Sequence, residues 1–229
     1  MTGQTALIAG ASRGLGLGLT RELLGRGWTA IATARDPARA SGLTELVQAH
    51  PDRLRVERLD IDDRAQVADI AGRLGGTALD LLFVNAGVME EAGLAELSPA
   101  AFATIMTTNA LSPVQLALAL QDRLRDGGTL AFMTSRMGSV AEMTNGSSPA
   151  YRASKAALNA LTRCLVAGLN GRKRTVLSFH PGWVRTDMGG PSAAVSVEDS
   201  VRGIADVIAR ERGAGGHKYL DYQGNAIPW

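Results

Sequence analysis

An unbroken strand-like run, Thr5-Ala6-Leu7-Ile8-Ala9, passes straight into a glycine-rich turn, Gly10-Ala11-Ser12-Arg13-Gly14-Leu15-Gly16, and then into a segment of helical period from Leu15 to Arg26. A strand that is apolar along its whole length has to be covered on both faces, which is the position of a central strand in a parallel sheet. Parallel neighbours need a crossover, so this opening commits the chain to βαβ units. The alternation continues to the other end. Thr29 to Thr33 reads as a second strand, and Asp36-Pro37 as cap and first helical position of the next helix. Strands are expected at Leu54 to Leu59 and Leu79 to Val84, with a helix from Asp62 to Leu74 between them. Ser98-Pro99 opens a long helical segment toward Leu124, ended by Gly127 and Gly128 and followed by a strand from Thr129 to Met133.

After a loop from Arg136 to Pro149, a helix is expected from Tyr151 to Asn170 and a strand from Thr175 to His180. Ser196 can cap a last helix over Val197 to Arg212, with Asp199 available for the reciprocal bond, before a short strand at Lys218 to Leu220. The fold class is therefore α/β: a single-domain Rossmann fold over 1–229, a doubly wound parallel sheet of about seven strands in the order 3-2-1-4-5-6-7, helices on both faces. The segment 186–195, with two glycines, a proline and no periodicity, is the expected substrate flap.

Composition narrows the function. The 229 residues are 45% hydrophobic and 20% charged, with 24 basic against 22 acidic side chains, a balance that leaves no nucleic-acid footprint. The basic run Arg172-Lys173-Arg174 reads as a solvated helix end. Cys164 stands alone, so neither an internal disulfide nor a four-cysteine metal site can form, and its apolar surroundings suggest a buried thiol. The three histidines are dispersed, and no metal is expected. No apolar stretch has the length of a membrane span, and the start carries no secretory pattern, so a cytoplasmic protein without nucleic-acid or membrane partners is expected.

The glycine turn lies where a dinucleotide pyrophosphate meets a helix N-terminus. Gly10 permits the turn, and Gly14 and Gly16 allow close backbone approach. The second strand ends Thr33-Ala34-Arg35: no acidic side chain is there to hold ribose hydroxyls, whereas Arg35, with Arg13 opposite, suits a 2′-phosphate. NADP(H) is the expected cofactor. Asp60, just past the third strand, is placed for the adenine amino group, and Asn85-Ala86-Gly87 passes near the adenosine half. Tyr151-Arg152-Ala153-Ser154-Lys155 sets a tyrosine and a lysine four apart on one helix side, where an ammonium favours the phenolate and suits proton exchange with an alkoxide.

On these motifs the chain resembles the short-chain dehydrogenase/reductase family along essentially its whole length. Thr134 to Ser139, Tyr151 to Asn159, His180 to Val184, Thr186 to Gly190 and the ending Ile227-Pro228-Trp229 resemble its C-factor and sniffer-type carbonyl reductase subgroup. The resemblance implies Asn109, Ser135, Tyr151 and Lys155 as catalytic residues. It implies a cofactor site built from Gly10, Ser12, Arg13, Gly14, Leu15, Gly16, Arg35, Asp60, Ile61, Asn85, Ala86, Gly87, Tyr151, Lys155, Pro181, Gly182, Val184 and Thr186. Ala9 and Val84 depart from the family's usual threonine and asparagine, and the gap from Ser135 to Tyr151 exceeds its commonest spacing, so Ser139 is a competing serine.

The implied reaction is hydride transfer between NADPH and an aldehyde or ketone, with Tyr151 as proton donor, Ser135 orienting the oxygen, Lys155 tuning the tyrosine and Asn109 holding a relay water. Val88, Met89, Met137, Met143 and Trp183, with the flap, are the expected substrate pocket, apolar and suited to a medium-sized carbonyl compound. His180 is expected to pack beside the Pro181-Gly182 turn, and Trp229 either near the active site or at a subunit contact. A homodimer or homotetramer is usual in the family. A dinucleotide-binding sensor with little turnover and an NAD-dependent alcohol dehydrogenase remain the rival readings.

Overall fold

A computed structural model describes residues 3–169 and 173–229. Seven strands form one sheet in the order β3-β2-β1-β4-β5-β6-β7, every neighbouring pair parallel. They are β1 Thr5–Ala9, β2 Thr29–Ala34, β3 Leu54–Arg58, β4 Leu79–Val84, β5 Leu124–Met133, β6 Thr175–His180 and β7 Gly216–Asp221. Among the described residues the α-helices that connect them are α1 Gly14–Gly25, α2 Ser41–Ala49, α3 Arg64–Arg73, α4 Pro99–Met106, α5 Ser112–Leu120, α6 Pro149–Ala167 and α7 Val197–Glu211.

Strand side chains alternate between two apolar layers. Ala6 and Ile8 of β1 face a core shared with Leu19 and Leu23 of α1, Leu43 of α2 and Ile204 and Ile208 of α7. Leu7 and Ala9 face the opposite core, with Ile70 of α3, Leu116 and Leu120 of α5 and Leu158 of α6. Each fully buried Leu or Ile contributes about 1.5–3 kcal/mol, so both layers hold the central strands rigid. Strand order reverses between β1 and β4, and the crevice at their carboxyl ends is where a doubly wound sheet presents a site.

Several boundaries differ from expectation for identifiable reasons. The helical segment after Ser98 is not continuous. A π-helical turn, Thr107–Leu111, separates α4 from α5, and a 3₁₀ turn, Gln121–Arg123, ends it. Pro113 has no N–H, so the carbonyl of Asn109 loses the i+4 donor of a regular α-helix, and the widened turn accommodates this. β5 begins at Leu124 rather than Thr129. Gly127 and Gly128 lie inside it, at a bulge where the β4 register steps from Leu79↔Leu124 to Leu81↔Thr129, and Gly127 takes a φ of 75° that a side chain would oppose.

Asp36 makes no side-chain cap and opens only a 3₁₀ turn, Pro37–Arg39, before α2 starts at Ser41. Ser196 does cap α7, accepting from the Asp199 N–H at 3.0 Å, but the Asp199 carboxylate takes the Ser196 hydroxyl at 2.7 Å rather than a backbone group. Cys164 is exposed, because Leu158, Thr162, Leu165 and Leu169 take the buried stripe of the α6 segment and turn it outward. The expected helix end at Asn170 and the Arg172 of the basic run lie outside the described residues. Among the described residues, no helix is long and apolar enough to cross a membrane.

Candidate active site

A cleft of about 870 Å³ opens over the carboxyl ends of β1, β4 and β5. Its floor at one end is the glycine turn. Gly10 adopts a φ of 83°, and a Cβ there would lie 2.9 Å from Ala86; a Cβ on Gly16 would lie 2.2 Å from the Gly10 carbonyl oxygen. The turn is thus pressed against its own helix and against the segment after β4. Asn85 ties the two together, its amide donating to the Gly10 carbonyl at 2.7 Å. The first turn of α1 has no capping side chain and no acidic residue. Its N–H groups and positive dipole end remain uncompensated beside Gly10, Ser12, Arg13, Gly14 and Leu15, which line the cleft.

Ala34, Arg35, Asp60, Ile61, Asn85, Ala86 and Gly87 continue this wall. Arg35 is exposed. Arg13 pairs with Asp187 at 2.7 Å, both well exposed, joining the glycine turn to the segment opposite. Gly16 lies beneath the turn rather than on the cleft surface.

At the other end, Tyr151 on the first turn of α6 is buried. Burial pushes its phenol up to about 12, against the opposing pull of the neighbouring Ser135 side chain. Ser135 follows β5 and caps the 3₁₀ turn Arg136–Gly138, accepting from the Met137 N–H at 3.2 Å. Ser139 is fully buried, bonded to the Glu142 N–H at 3.2 Å, and outside the cleft wall.

Lys155 is buried. Its Nζ donates to the Met133 carbonyl at 3.0 Å and lies 5.6 Å from the Tyr151 ring centre. Desolvation lowers its ammonium to about 8, so in this cleft burial moves the lysine and tyrosine in opposite directions. Without the cofactor, the tyrosine is raised rather than lowered as the Tyr-Lys spacing alone suggested.

Asn109, in the π turn, does not line the cleft. Its Oδ1 accepts from the Val88 N–H at 2.8 Å, and its Nδ2 donates to the Val88 carbonyl at 2.8 Å and to Ser154 Oγ at 3.0 Å. Both Nδ2 hydrogens are committed to bracing the segment after β4 and the α6 turn, while Oδ1, with one N–H bonded, keeps a second lone pair.

Val88, Met89, Met137 and Trp183 line the substrate end, together with Pro181, Gly182, Val184 and Thr186. Met143 does not; Glu142, Thr144, Asn145 and Arg152 stand there instead. In the sequence Arg152 enters only as part of the 151–155 motif, because spacing alone assigns an arginine beside the tyrosine no role. The signal was its place on the first turn of a helix whose N-terminus faces the cleft.

The segment 186–195 is stapled by the Trp183 indole donating to the Gly189 carbonyl at 2.8 Å and by the Val184–Val195 bridge. His180 borders the cleft beside Pro181, its imidazolium disfavoured by burial and by Arg136, down to about 4. Trp229 lies behind the loop after β5, in tilted ring contact with Tyr219 at 5.1 Å and His217 at 4.7 Å, and is not part of the cleft wall. Among the described residues, no three His, Cys, Asp or Glu side chains are grouped to hold a metal.

Residues 4–195 match the family model described as short chain dehydrogenase. The chain belongs to the short-chain dehydrogenase family. It is 42% identical to the C-signal protein of Myxococcus xanthus over 154 residues, 66% of this chain and 93% of that one. It superposes on a short-chain dehydrogenase/reductase from Burkholderia multivorans with bound NADP at a TM-score of 0.96, with 41% identity and 99% of each chain covered. A carbonyl reductase from Pseudomonas aeruginosa in complex with NADP matches at a TM-score of 0.93, with 38% identity and 100% of both chains covered.

Proposed function

We propose that this short-chain dehydrogenase is an NADPH-dependent carbonyl reductase, converting an aldehyde or ketone to its alcohol. The observation that carries the reading is the buried Ser135–Tyr151–Lys155 group at one end of a cleft whose other end is an uncapped helix N-terminus beneath a glycine turn. NADP fits the residues present. Gly10 and Gly16 let the turn that would carry a pyrophosphate pack tightly on its own helix and on Ala86, and the bare N-terminus of α1 complements that charge. Ala34 leaves space beside Arg35, and Arg13 is available opposite once Asp187 is displaced. Asp60 and Ile61 would border the adenine, and Lys155 the nicotinamide ribose. Similar solved structures hold NADP, which supports the same cofactor here.

When bound, the dinucleotide supplies the hydride. Tyr151, held protonated at neutral pH by burial, is poised to give its proton to the substrate oxygen, the requirement of the reductive direction. Ser135 donates to the same oxygen as its charge develops, and Met137 N–H fixes that hydroxyl in place. Lys155 restores the proton to Tyr151, and a lysine lowered to about 8 exchanges protons near neutrality. Asn109 acts by position: it holds Val88 and, through Ser154, the helix turn that carries Tyr151.

The test is carbonyl-dependent oxidation of NADPH over aldehydes, diketones and cyclic ketones, with NADH run in parallel. Turnover with NADPH well above that with NADH supports the proposal. Tight NADPH binding without turnover on any substrate returns the weight to a cofactor sensor.

A further inference from the structure

The cleft wall between Tyr151 and the segment 144–148 contains a guanidinium that the reductase reading leaves unused. Arg152 is only 8% exposed and lines the cleft one residue after the tyrosine. Its Nε donates to the Ser147 carbonyl at 2.7 Å, and its Nη2 to Asn145 Oδ1 at 2.8 Å and Ser147 Oγ at 3.2 Å. All three acceptors are neutral. The acidic residue at this end, Glu142, is already taken by Arg136, whose Nη1 meets both of its oxygens at 3.1 and 3.0 Å. Among the described residues, no carboxylate pairs with Arg152.

A guanidinium does not surrender its proton inside a protein. Burying it without a counter-charge is costly unless something else supplies one. Nε and Nη2 are spent on the loop, whereas among the described residues Nη1 meets no acceptor and is left to whatever enters the cleft. A carboxylate is the group that fits: it offers the missing charge and accepts a short, charge-assisted bond from Nη1. Because Arg152 adjoins Tyr151, one small molecule can reach both.

We propose that Arg152 is the substrate-recognition residue of this cleft and that the substrate class is carbonyl compounds bearing a carboxylate. The inference rests on the reductase reading of the same cleft. It adds charge recognition to a pocket whose Met89, Met137 and Trp183 accommodate the apolar part of such a molecule.

The experiment compares 4-carboxybenzaldehyde with its methyl ester in the wild type, Arg152→Met and Arg152→Lys. Arg152→Met is expected to lower kcat/KM for the carboxylate by about 10- to 100-fold more than for the ester, the size of losing a charged hydrogen-bond partner. Arg152→Lys, which keeps the charge without the donors that hold the loop, recovers part of that difference. Using the change in ratio removes the different intrinsic reactivity of the two aldehydes. An equal loss on both substrates would mean that Arg152 only braces the 145–148 loop, and would overturn the proposal while leaving the reductase reading intact.

A second arm needs no turnover: benzoate and benzamide are titrated into the NADPH-bound protein and followed by nicotinamide fluorescence. Benzoate is expected to bind at least about tenfold more tightly, with the preference abolished in Arg152→Met. Equal affinities would refute the proposal even if neither aldehyde is reduced, an outcome that would instead count against the reductase reading.

Discussion

Replacing Asn109 with alanine isolates the contribution of the π turn to the site. Three buried or part-buried bonds disappear: to the Val88 N–H and carbonyl, both 2.8 Å, and to Ser154 Oγ at 3.0 Å. Stranding a buried polar group costs about 1–3 kcal/mol. Val88 sits at the edge of the cleft, where water can rescue part of the loss, so the variant is expected to lose about 2–4 kcal/mol. For a chain of this length, each kcal/mol shifts Tm by about 2–4 °C, which places the fall at about 5–15 °C.

Urea denaturation of the cofactor-free protein measures the free energy, and thermal unfolding gives an independent reading. Ser154→Ala is the control. It removes one of the three bonds and the donor to the Tyr151 carbonyl, and is expected to cost about 1 kcal/mol. A loss below about 1 kcal/mol for Asn109→Ala, or one no larger than that of Ser154→Ala, would refute the claim that the carboxamide braces Val88.

Gly16→Ala places a methyl 2.2 Å from the Gly10 carbonyl oxygen and 2.8 Å from Asn85 Nδ2, so the glycine turn must move; NADPH affinity by fluorescence titration is expected to fall at least about tenfold, at a cost of about 1–3 kcal/mol for overpacking. Lys155→Met tests the lowered lysine through pH. The folded value of about 8 lies below the ordinary lysine value of 10.5, so the unfolded chain binds more protons between them and stability rises with pH across that window. In the cofactor-free protein, the stability of Lys155→Met relative to the wild type is therefore expected to be constant below pH 8 and to decline from pH 8 toward 10.5; a difference that stays flat would contradict the desolvation account. Arg35→Ser is expected to weaken NADPH about 10- to 100-fold in direct binding while leaving NADH nearly unchanged; equal losses for the two would remove Arg35 from 2′-phosphate recognition.

The fold was legible where local pattern and tertiary environment agree. Thr5–Ala9, Leu79–Val84 and Thr175–His180 are apolar runs ended by Gly10, Asn85 and Pro181, and their ends match the expected strands. β5 hid its first half because Leu124-Arg125-Asp126-Gly127 has no apolar periodicity; only pairing with Leu79 through a bulge makes it a strand. The site was legible as spacing, since a glycine turn after β1 and a Tyr-Lys pair at i,i+4 keep their geometry wherever the helix packs. What spacing cannot carry is the direction of a side chain in a loop or π turn. Met143 falls outside the wall and Arg152 inside it because the segment 145–148 folds back on the arginine. Asn109 turns toward Val88 because Pro113 breaks the helical ladder four residues later. Burial likewise reverses the expected tyrosine shift, a sign that depends on how deeply α6 is packed.

The most direct test of the central claim is the fate of a label. The protein is supplied with NADPH carrying deuterium at the transferable nicotinamide position and with the best substrate of the carbonyl panel, and the product is examined by NMR and mass spectrometry. The account predicts one deuterium on the carbinol carbon of the alcohol, formed by the wild type and reduced at least about a hundredfold in Tyr151→Phe. Alcohol formed at an undiminished rate in Tyr151→Phe, or product without the label, would contradict it.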